Sequence, residues 1–465
     1  MTQKLLLWIL VVSTMIMILN ETLLGVALPT ISADFGVPAA TVQWLATGFL
    51  LVMAIVIPMT GYLLQRFSTR VIFVAALALF MVGTTIAALA PTFLVLLIAR
   101  AIQAIGTAII IPLLMTVALT IVPPERRGAT MGLIGVVISV APALGPTVSG
   151  IILSRFSWHW LFWFILPIIL VCLVVGVRFI RNVSSGEATK LDVVSIPLSA
   201  LGFGGIVYGL SQLADAVEHH NPVPPTVLAL GIMFVAAFTY RQIVLGRQHR
   251  ALLNLQPFTF PAFRISVLVC FLGMGVLLGT AVVLPFFVQN ALGASALTTG
   301  LLLLPGGLLQ GLASPWVGRL YDRFGPRPLA IPGTIGLVTG QIGLSLLGTG
   351  TPLAAVLGLH MLSTLSFAFI MTPLMTDGLS TLPQPLYGHG SAILNTLQQL
   401  GAAAGTAALV ATMTIAGNIA TSDGAAHDVA AAAGASTAFI LGASLAAITF
   451  VATLFITPRS AKPGM

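Results

Sequence analysis

Charge is the scarcest property of this chain. Only 6% of its 465 residues are Asp, Glu, Lys or Arg, whereas 58% are hydrophobic. The mean hydropathy is +1.09. A soluble protein of this length cannot hide so much apolar surface, because a folded surface in water needs charged groups. The composition therefore excludes a soluble globular protein and points to a membrane protein.

Several kinds of chemical site are also missing. The two cysteines, Cys172 and Cys270, both lie inside apolar segments, which gives no support to a disulfide framework or a zinc site. No GxxxxGK[ST] loop is present, so ATP hydrolysis is not expected. No set of nucleophile, base and acid is visible, and no cluster of metal ligands. We expect neither an enzyme nor a cofactor or metal site.

Long apolar runs are what the chain has instead. Runs of about 20 residues are typical of membrane-spanning helices. The first run is too long for a signal peptide, carries Glu21 and is followed by further spans, so we interpret it as a retained helix. The runs predict fourteen spans: 5–32, 41–64, 70–90, 92–121, 128–153, 158–181, 191–213, 223–245, 262–290, 299–320, 327–348, 352–375, 389–418 and 436–457.

The basic residues predict the orientation. The net charge of +8 does not indicate a nucleic-acid-binding face, because the Lys and Arg residues lie in short loops between apolar runs. If the N-terminus is cytoplasmic, all but two of the 19 Lys and Arg residues fall on the inner side, the exceptions being Arg155 and Arg100. Cytoplasmic loops carry such an excess. We therefore predict a multi-pass plasma-membrane protein with both termini in the cytoplasm.

An internal repeat divides the chain. The segment "ALPTISADFG" leads to "GYLLQRFSTR", and "VLPFFVQNALG" later leads to "GRLYDRFGPR". Pro29 and Gly61 are 32 residues apart, and Pro285 and Gly318 are 33 apart. Two six-helix halves, 5–181 and 262–457, thus flank an extra helix pair at 191–245. Duplicated halves are typical of transporters, whose site lies between the halves, although two unrelated bundles with similar loops remain an alternative.

Several segments resemble the major facilitator superfamily, in particular its branch of 14-helix drug:proton antiporters. The loop from Gly61 to Arg70 is similar to the superfamily's "GxLaDrxGxR" loop, but has Gln65 in place of the acid and Ser68 in place of the glycine. The second copy, from Gly318, keeps both as Asp322 and Gly325. "RAIQAIGTA", "APALGPTVSG", "ETLLGVALPTI" and "HGSAILNTLQQLGAAAGTA" resemble further motifs of helices 4, 5, 1 and 11, with a glutamate where an aspartate is more usual in helix 1.

This resemblance implies an all-α polytopic fold with an N-terminal half at 1–190, an extra pair at 191–250 and a C-terminal half at 251–465. It implies a monomeric, proton-coupled exporter (antiporter) of amphipathic drug-like compounds, driven by the proton gradient, and hence multidrug efflux and antibiotic resistance. The partners would be a small-molecule substrate, protons and the bilayer. The alternatives are an exporter of a dedicated endogenous lipid or metabolite and, less favoured, a passive channel or a non-transporting sensor.

Glu21 and Arg100 are the charges predicted at membrane depth. A charge there costs on the order of 2.5–3.5 kcal/mol, so it faces a cavity or a partner. Glu21 lies roughly 16 Å and Arg100 roughly 12 Å from the predicted outer ends of their helices, at 1.5 Å per residue. We expect Glu21 to bind the coupled proton and Arg100 to balance it in one state. A fixed ion pair, or carbonyl capping by Arg100, are the structural alternatives.

The remaining candidates serve substrate binding and gating. An amphipathic substrate needs apolar and aromatic walls with a few polar groups, and the candidates are Asn20, Gln103, Phe286, Phe287, Asn395, Gln398 and Gln399. The repeated loops are candidate gates that lock the cytoplasmic side, with topology-setting surface charge as the alternative; their residues are Gly61, Arg66, Arg70, Gly318, Asp322, Arg323 and Arg327. Following the resemblance, Gly145 and Pro146 are expected to bend helix 5 and seal one end of the cavity.

Overall fold

Long helices make up almost all of the protein. The computed structural model describes residues 3–180, 182, 192–213, 221–248 and 250–456, and these contain no strand. They form fourteen helices of 17 residues or more. The helices are α1 (Gln3–Phe35), α2 (Trp44–Arg66), α3 (Thr69–Ala88), α4 (Phe93–Ile121), α5 (Arg127–Leu153), α6 (Trp160–Phe179), α7 (Ser195–Ser211), α8 (Val223–Gly246), α9 (Pro261–Phe286), α10 (Ala296–Phe324), α11 (Arg327–Ser345), α12 (Leu353–Ser380), α13 (Tyr387–Ser422) and α14 (His427–Leu454).

The helices coincide one for one with the fourteen predicted spans, so the predicted fold class is confirmed. Twelve of them, within the described ranges, are long and apolar enough to cross a membrane. The other two are the shortest of the fourteen: α7 has 17 residues and α11 has 19. The largest boundary error is at α14, which begins at His427 instead of 436. Asp428 lies in its first turn, where a carboxylate stabilises a helix beyond the apolar segment.

The predicted repeat has a structural counterpart. Within the first half α3 packs on α4 and α6, α1 packs on α4, α5 and α6, and α2 packs on α4. Adding eight to each number gives pairs that also pack within the second half, where α13 packs on α14 as well. The halves meet through α5–α10 and α2–α13, and these two contacts exchange when each helix is replaced by its counterpart in the other half. The predicted boundary at 190/191, together with Arg181, Lys190, Arg459 and Lys462, lies outside the described residues.

In the described residues, the two halves pack together from one end of the bundle to past the middle of α5 and α10, and they separate toward the other end. We call the end where α1 begins and α14 ends the basic end, because its loops carry Arg66, Arg126 and Arg323; the opposite end is the far end. One hydrophobic core joins α1, α4 and α5 to α9, α12 and α13. Toward the far end this core gives way to two separate ones, one in each half. The protein is therefore closed at the basic end and divided at the far end.

Glycines bring α5 and α10 together at the basic end. A Cβ atom at Gly318 would lie 2.1 Å from the carbonyl oxygen of Gly128, so no side chain fits between the two backbones. Toward the far end the same helices separate, and a Cβ atom at Gly150 or Gly300 would meet nothing within 4 Å. The close approach thus begins at the closed end and stops before the far end.

We predict that Gly318→Val opens the basic end, because its side chain would collide with the backbone at Gly128 and overpacking of this kind costs about 1–3 kcal/mol. Spin labels at Arg126→Cys and Phe324→Cys should report a longer distance in this variant. Gly150→Val is the matched control on α5 and should leave the distance unchanged. An unchanged distance in Gly318→Val would contradict the assignment of this contact as the closing surface.

Candidate functional site

A cavity of about 370 Å³ lies between the halves, on the far side of the closed contacts. Its walls come from α1, α2, α7, α9 and α13. They are mainly aliphatic, and Glu21 is the single ionisable side chain on them among the described residues. Thr47, Gln399 and Thr406 add neutral polar groups. The cavity can therefore accept an apolar molecule that also carries a positive charge or hydrogen-bond donors.

The helical turn around residue 20 separates two polar side chains. Glu21 is part-exposed on the cavity wall, whereas Asn20 is 1% exposed and its amide nitrogen has no hydrogen-bond partner. Successive residues of an α-helix point about 100° apart, so Asn20 points into the protein when Glu21 faces the cavity. The same turn of α1 thus places one polar side chain on the cavity wall and a second one inside the bundle.

Arg100 is buried behind the cavity wall, and neighbouring dipoles stabilise its charge. It is 1% exposed. Its Nε donates to the Leu45 carbonyl at 3.3 Å, its Nη1 donates to Gln103 Oε1 at 3.0 Å, and its guanidinium stacks 4.1 Å from the centroid of the Phe49 ring. The Gln103 amide in turn donates to Thr84 Oγ1 at 2.8 Å. The charge is thus stabilised by a carbonyl, an amide and a ring face.

Glu21 and Arg100 interact through their charges without touching. No ion pair within 4.0 Å joins them in the described part of the chain, but the carboxylate and the guanidinium act on each other electrostatically. In this conformation Arg100 has the carbonyl-capping arrangement and Glu21 is accessible from the cavity. Glu21 is therefore free to take up a proton or a cationic group while a cation remains nearby.

The other predicted substrate residues are spread over three places. Gln399 is on the wall of the Glu21 cavity. Asn395 and Gln398 are buried at 6% exposure: the amide of Asn395 donates to the Ser391 carbonyl and to Met115 Sδ, and that of Gln398 to Met371 Sδ. They fix contacts of α13 with α4 and α12, and neither borders the cavity within the described residues.

Phe286 and Phe287 lie away from Glu21. Phe286 lines a second cavity of about 220 Å³ near the far ends of α9, α13 and α14. Phe287, at 1% exposure, is in the far-end core of the second half and begins a short π-helical turn, Phe287–Ala291. Adjacent helical residues cannot face the same way, so the aromatic pair does not act as one wall.

Asp322 joins the halves at the basic end. Its two carboxylate oxygens accept hydrogen bonds from the backbone N–H groups of Gly128 and Ala129, at 2.7 and 2.9 Å. These groups belong to the first turn of α5, where the helix dipole favours an anion. Arg323 stacks on Phe324, with 5.0 Å to the ring centroid, and Arg327 begins α11. Asp322 thus joins the end of α10 to the N-terminus of α5.

Arg127 is a second link at this end, one that the sequence did not indicate. It donates from Nη2 to the Leu119 carbonyl at 2.9 Å and from Nε to the Val122 carbonyl at 3.3 Å, at the C-terminus of α4. Its guanidinium also lies 5.5 Å from the ring centroid of Tyr387, the first residue of α13. Cations suit helix C-termini, so Arg127 ties the first half to the second.

The first copy of the loop uses different chemistry. A Cβ atom at Gly61 would lie 2.6 Å from His389 Nδ1, so α2 and α13 also approach closely. His389 Nδ1 lies 3.2 Å from the backbone N–H of Asn254, from which it accepts, and its Nε2 lies 3.2 Å from Gln65 Oε1. An acceptor at Nδ1 requires a neutral imidazole with its proton on Nε2, which then donates to Gln65.

The two loops also differ in backbone and in the partners of their arginines. Gly325 has φ +80°, a conformation suited to glycine, whereas Ser68 has φ −68° and needs none. Arg70 donates from Nη2 to the Val177 carbonyl at 2.6 Å, within the first half. Arg66 ends α2 at the basic end. Of the predicted gating arginines, Arg70 thus braces α6 instead of crossing between the halves.

Gly145 connects α5 to the turn that carries Glu21. A Cβ atom at Gly145 would lie 2.1 Å from Oγ1 of Thr22, the residue after Glu21. Pro142 and Pro146 lie inside the same stretch of α5. Proline removes a backbone donor and favours a bend, while glycine allows close packing. The glycine and the two prolines therefore determine how closely α5 packs against α1 beside Glu21.

A polar cluster fastens the extra pair at the basic end. Arg241 forms two hydrogen bonds to Asp192, at 2.7 and 2.8 Å, which lower the pKa of that carboxyl to about 2. Gln242 donates to Ser195 Oγ at 2.6 Å and accepts from the backbone N–H of Leu253 at 3.1 Å. The linker after α8 is thus held at Leu253, one residue before it contacts His389.

Duplicated six-helix halves around a central cavity define a class, the helical membrane transporters. The sequence profile of the Major Facilitator Superfamily matches residues 10–406. The lincomycin resistance protein LmrB of Listeria monocytogenes is 40% identical over 449 residues, covering 95% of this chain and 94% of that protein. LmrB of Bacillus subtilis is 40% identical over 395 residues, covering 85% and 82%.

The fold comparison agrees. The structure of the human organic anion transporter MFSD10 superimposes with a TM-score of 0.67 at 16% identity, covering 97% of this chain and 100% of that one. The chain therefore belongs to the Major Facilitator Superfamily. It is a multi-pass membrane transporter of small molecules and not an enzyme.

We predict that Asp322→Asn weakens closure at the basic end. The amide removes the charge and one of the two acceptors that face the first turn of α5, and a hydrogen bond to a charged group is worth about 1.5–3 kcal/mol. A two-state equilibrium should then shift by about tenfold or more toward the form that is open at this end. The label pair at Arg126→Cys and Phe324→Cys would show this as a longer distance.

The control for this charge is Asp423→Asn, an exposed acid at the far end of α13. It should leave the distance distribution as in the wild type. If Asp322→Asn behaves like this control, the carboxylate does not hold the halves together.

Proposed function

We propose that this transporter is a proton-coupled exporter that exchanges protons for amphipathic drug-like compounds by alternating access. The observation that carries the proposal is Glu21, the single described ionisable group on the wall of an otherwise mainly aliphatic cavity. A carboxyl group in such a place binds either a proton or a positively charged cargo, but not both. Competition for one group is sufficient to couple two opposite fluxes.

The closed basic end supports an orientation. Lys and Arg are concentrated on the cytoplasmic side of membrane proteins, so the basic end faces the cytoplasm and the far end faces out of the cell. This conformation is then outward-facing, in the bacterial plasma membrane. Glu21 takes up a proton from outside and carries it inward when the contacts at Asp322 and His389 open. Cargo from the cytoplasm displaces the proton and leaves when the basic end closes again.

The names of the relatives support the cargo class. Two are called lincomycin resistance proteins, and a Mycobacterium tuberculosis relative, 29% identical over 411 residues, is called a multidrug resistance protein B homolog. Aliphatic walls with one acid and a few amides and hydroxyls suit amphipathic, cationic or neutral compounds. Export then needs the proton gradient and no cofactor, and one chain contains the whole cavity, which agrees with a monomer.

We predict that Glu21→Gln abolishes uphill transport but retains exchange. The amide is close in size to the acid and cannot release a proton, so cargo can still cross by counterflow while the pH gradient no longer drives it. Proteoliposomes loaded with lincomycin or ethidium, with and without an imposed pH gradient, separate the two activities. Glu21→Asp should keep part of the uphill rate because the acid survives.

Asp34→Asn is the matched control on the same helix. Asp34 lies near the end of α1 and accepts a hydrogen bond from Trp158 Nε1 at 2.9 Å, which an asparagine oxygen can also accept. This variant should transport like the wild type. Wild-type uphill rates in Glu21→Gln would contradict the proton role. If the wild-type protein is proton-coupled but transports neither drug, a dedicated endogenous cargo is indicated.

We predict that the effect of Arg100→Ala depends on Glu21. Removing the guanidinium leaves the Leu45 carbonyl and Gln103 without their donor and leaves the carboxylate without its nearby cation. The loss of thermal stability should be smaller in the Glu21→Gln background, with a coupling energy of about 0.5–3 kcal/mol. Arg100→Lys keeps the charge but not the planar fork and should rescue partly.

Thermal unfolding of the four proteins of this cycle, in detergent, gives the coupling energy. Arg155→Ala, an exposed arginine at the far end, serves as the charge control and should show none. Additive effects of Arg100→Ala and Glu21→Gln would mean that Arg100 acts through the Leu45 carbonyl, Gln103 and Phe49 alone.

A further inference from the structure

The extra helix pair contributes to the central cavity. Val207, Leu210 and Ser211 of α7 lie on its wall. Leu210 and Ser211 are three and four residues after Val207, so both lie on the same side of the helix as Val207. A pair of helices that only filled space at the periphery would present this face to lipid. Here it faces the same cavity as Glu21.

The place of α7 follows from the shape of the two halves. On this side of the molecule α2 and α13 touch at Gly61 and His389, near the basic end. Toward the far end the cavity separates them, and α7 packs against both. Trp44 of α2 and Tyr208 of α7 stack with ring centroids 5.9 Å apart. The gap between the halves is thus covered by α7.

The α13 part of the wall consists mainly of small residues. Ala402, Ala403, Thr406 and Ala407 of α13 line the cavity, together with Gln399 and Val410 of the same helix. Leu210 is the largest α7 side chain on the wall, which it shares with Glu21. A change in the size of Leu210 therefore changes how bulky an apolar group the cavity can hold.

We propose that α7 is a wall of the cargo site and that Val207, Leu210 and Ser211 determine which amphipathic compounds fit. The inference rests on the proposed export function for the class of cargo. It assigns the extra pair a part in selectivity: Leu210 and Val207 contact the apolar body of the cargo, and Ser211 offers a hydroxyl at the far-end edge. Glu21, on α1, contacts the cationic or donor group.

The test compares Leu210 with a lipid-facing residue of the same helix. Leu201 is 54% exposed on α7 and does not border the cavity. Leu210→Trp should narrow the cavity and weaken binding of ethidium to the purified protein by about tenfold or more, the scale on which a filled apolar pocket discriminates. Leu201→Trp should bind ethidium as the wild type does. Leu210→Ala should change the ratio of ethidium to lincomycin affinity, because it enlarges the same wall.

A labelling experiment covers the case in which the tryptophan variant does not fold. Leu210→Cys should react with N-ethylmaleimide more slowly when ethidium is saturating, and Leu201→Cys should react at the same rate with and without it. The native Cys172 and Cys270 are buried, at 8% and 1% exposure, and the wild-type protein gives their background.

The outcomes separate this inference from the export function. Binding needs no pH gradient, so intact binding with failed uphill transport counts against proton-coupled export and leaves the α7 wall standing. Equal affinities of the Leu210→Trp and Leu201→Trp proteins, or no protection of Leu210→Cys, overturn the α7 wall even if uphill transport is normal. A wild-type protein that binds neither ethidium nor lincomycin overturns the assignment of this wall to amphipathic cargo.

Discussion

The central constraint on this protein is that two charges within an apolar bundle must each be stabilised without cancelling each other. Arg100 is satisfied by the Leu45 carbonyl, the Gln103 amide and the Phe49 ring, and it needs no anion in contact. Glu21 is left on the cavity wall. Had the two formed a tight ion pair, the carboxylate would have been taken up by Arg100. The arrangement of α1, α2 and α4 is therefore what leaves an acid exposed to the cavity.

The two halves are similar in how their helices pack, but they differ in the side chains at equivalent positions. The helix contacts of one half repeat in the other, yet the position that corresponds to Glu21 is Leu277, and Gln65 stands where the second copy has Asp322. Each interface between halves is thus fastened in its own way. The α5–α10 contact uses a charged group on a helix N-terminus, and the α2–α13 contact uses a neutral histidine. The two sides of the closed end can respond differently to the same rearrangement.

The sequence was sufficient for the fold because each helix must cross a bilayer, which fixes the length and composition of every run. It also indicated Glu21 and Arg100, since charges inside such runs are rare. It did not predict partners that only tertiary packing creates. Nothing in the composition of α7 distinguishes Leu210 from Leu201, which faces outward, and aromatic residues such as Phe287 suit a core as well as a cavity. His389 was visible as part of a motif, but its contact with Asn254 depends on a loop without periodicity.

That loop contact has a mechanical consequence. Asn254 follows directly on Leu253, which is bound to Gln242 of α8, and His389 lies in the first turn of α13, the helix that closes one side of the basic end. Any motion that parts α2 from α13 must either break the bond at His389 Nδ1 or drag α8 along with α13. A twelve-helix derivative made by excising α7 and α8 would lose this tether and expose an imidazole acceptor to water. The extra pair is thus linked through Leu253 and Asn254 to the contact between α2 and α13, so three groups of helices, and not two, are joined at the basic end.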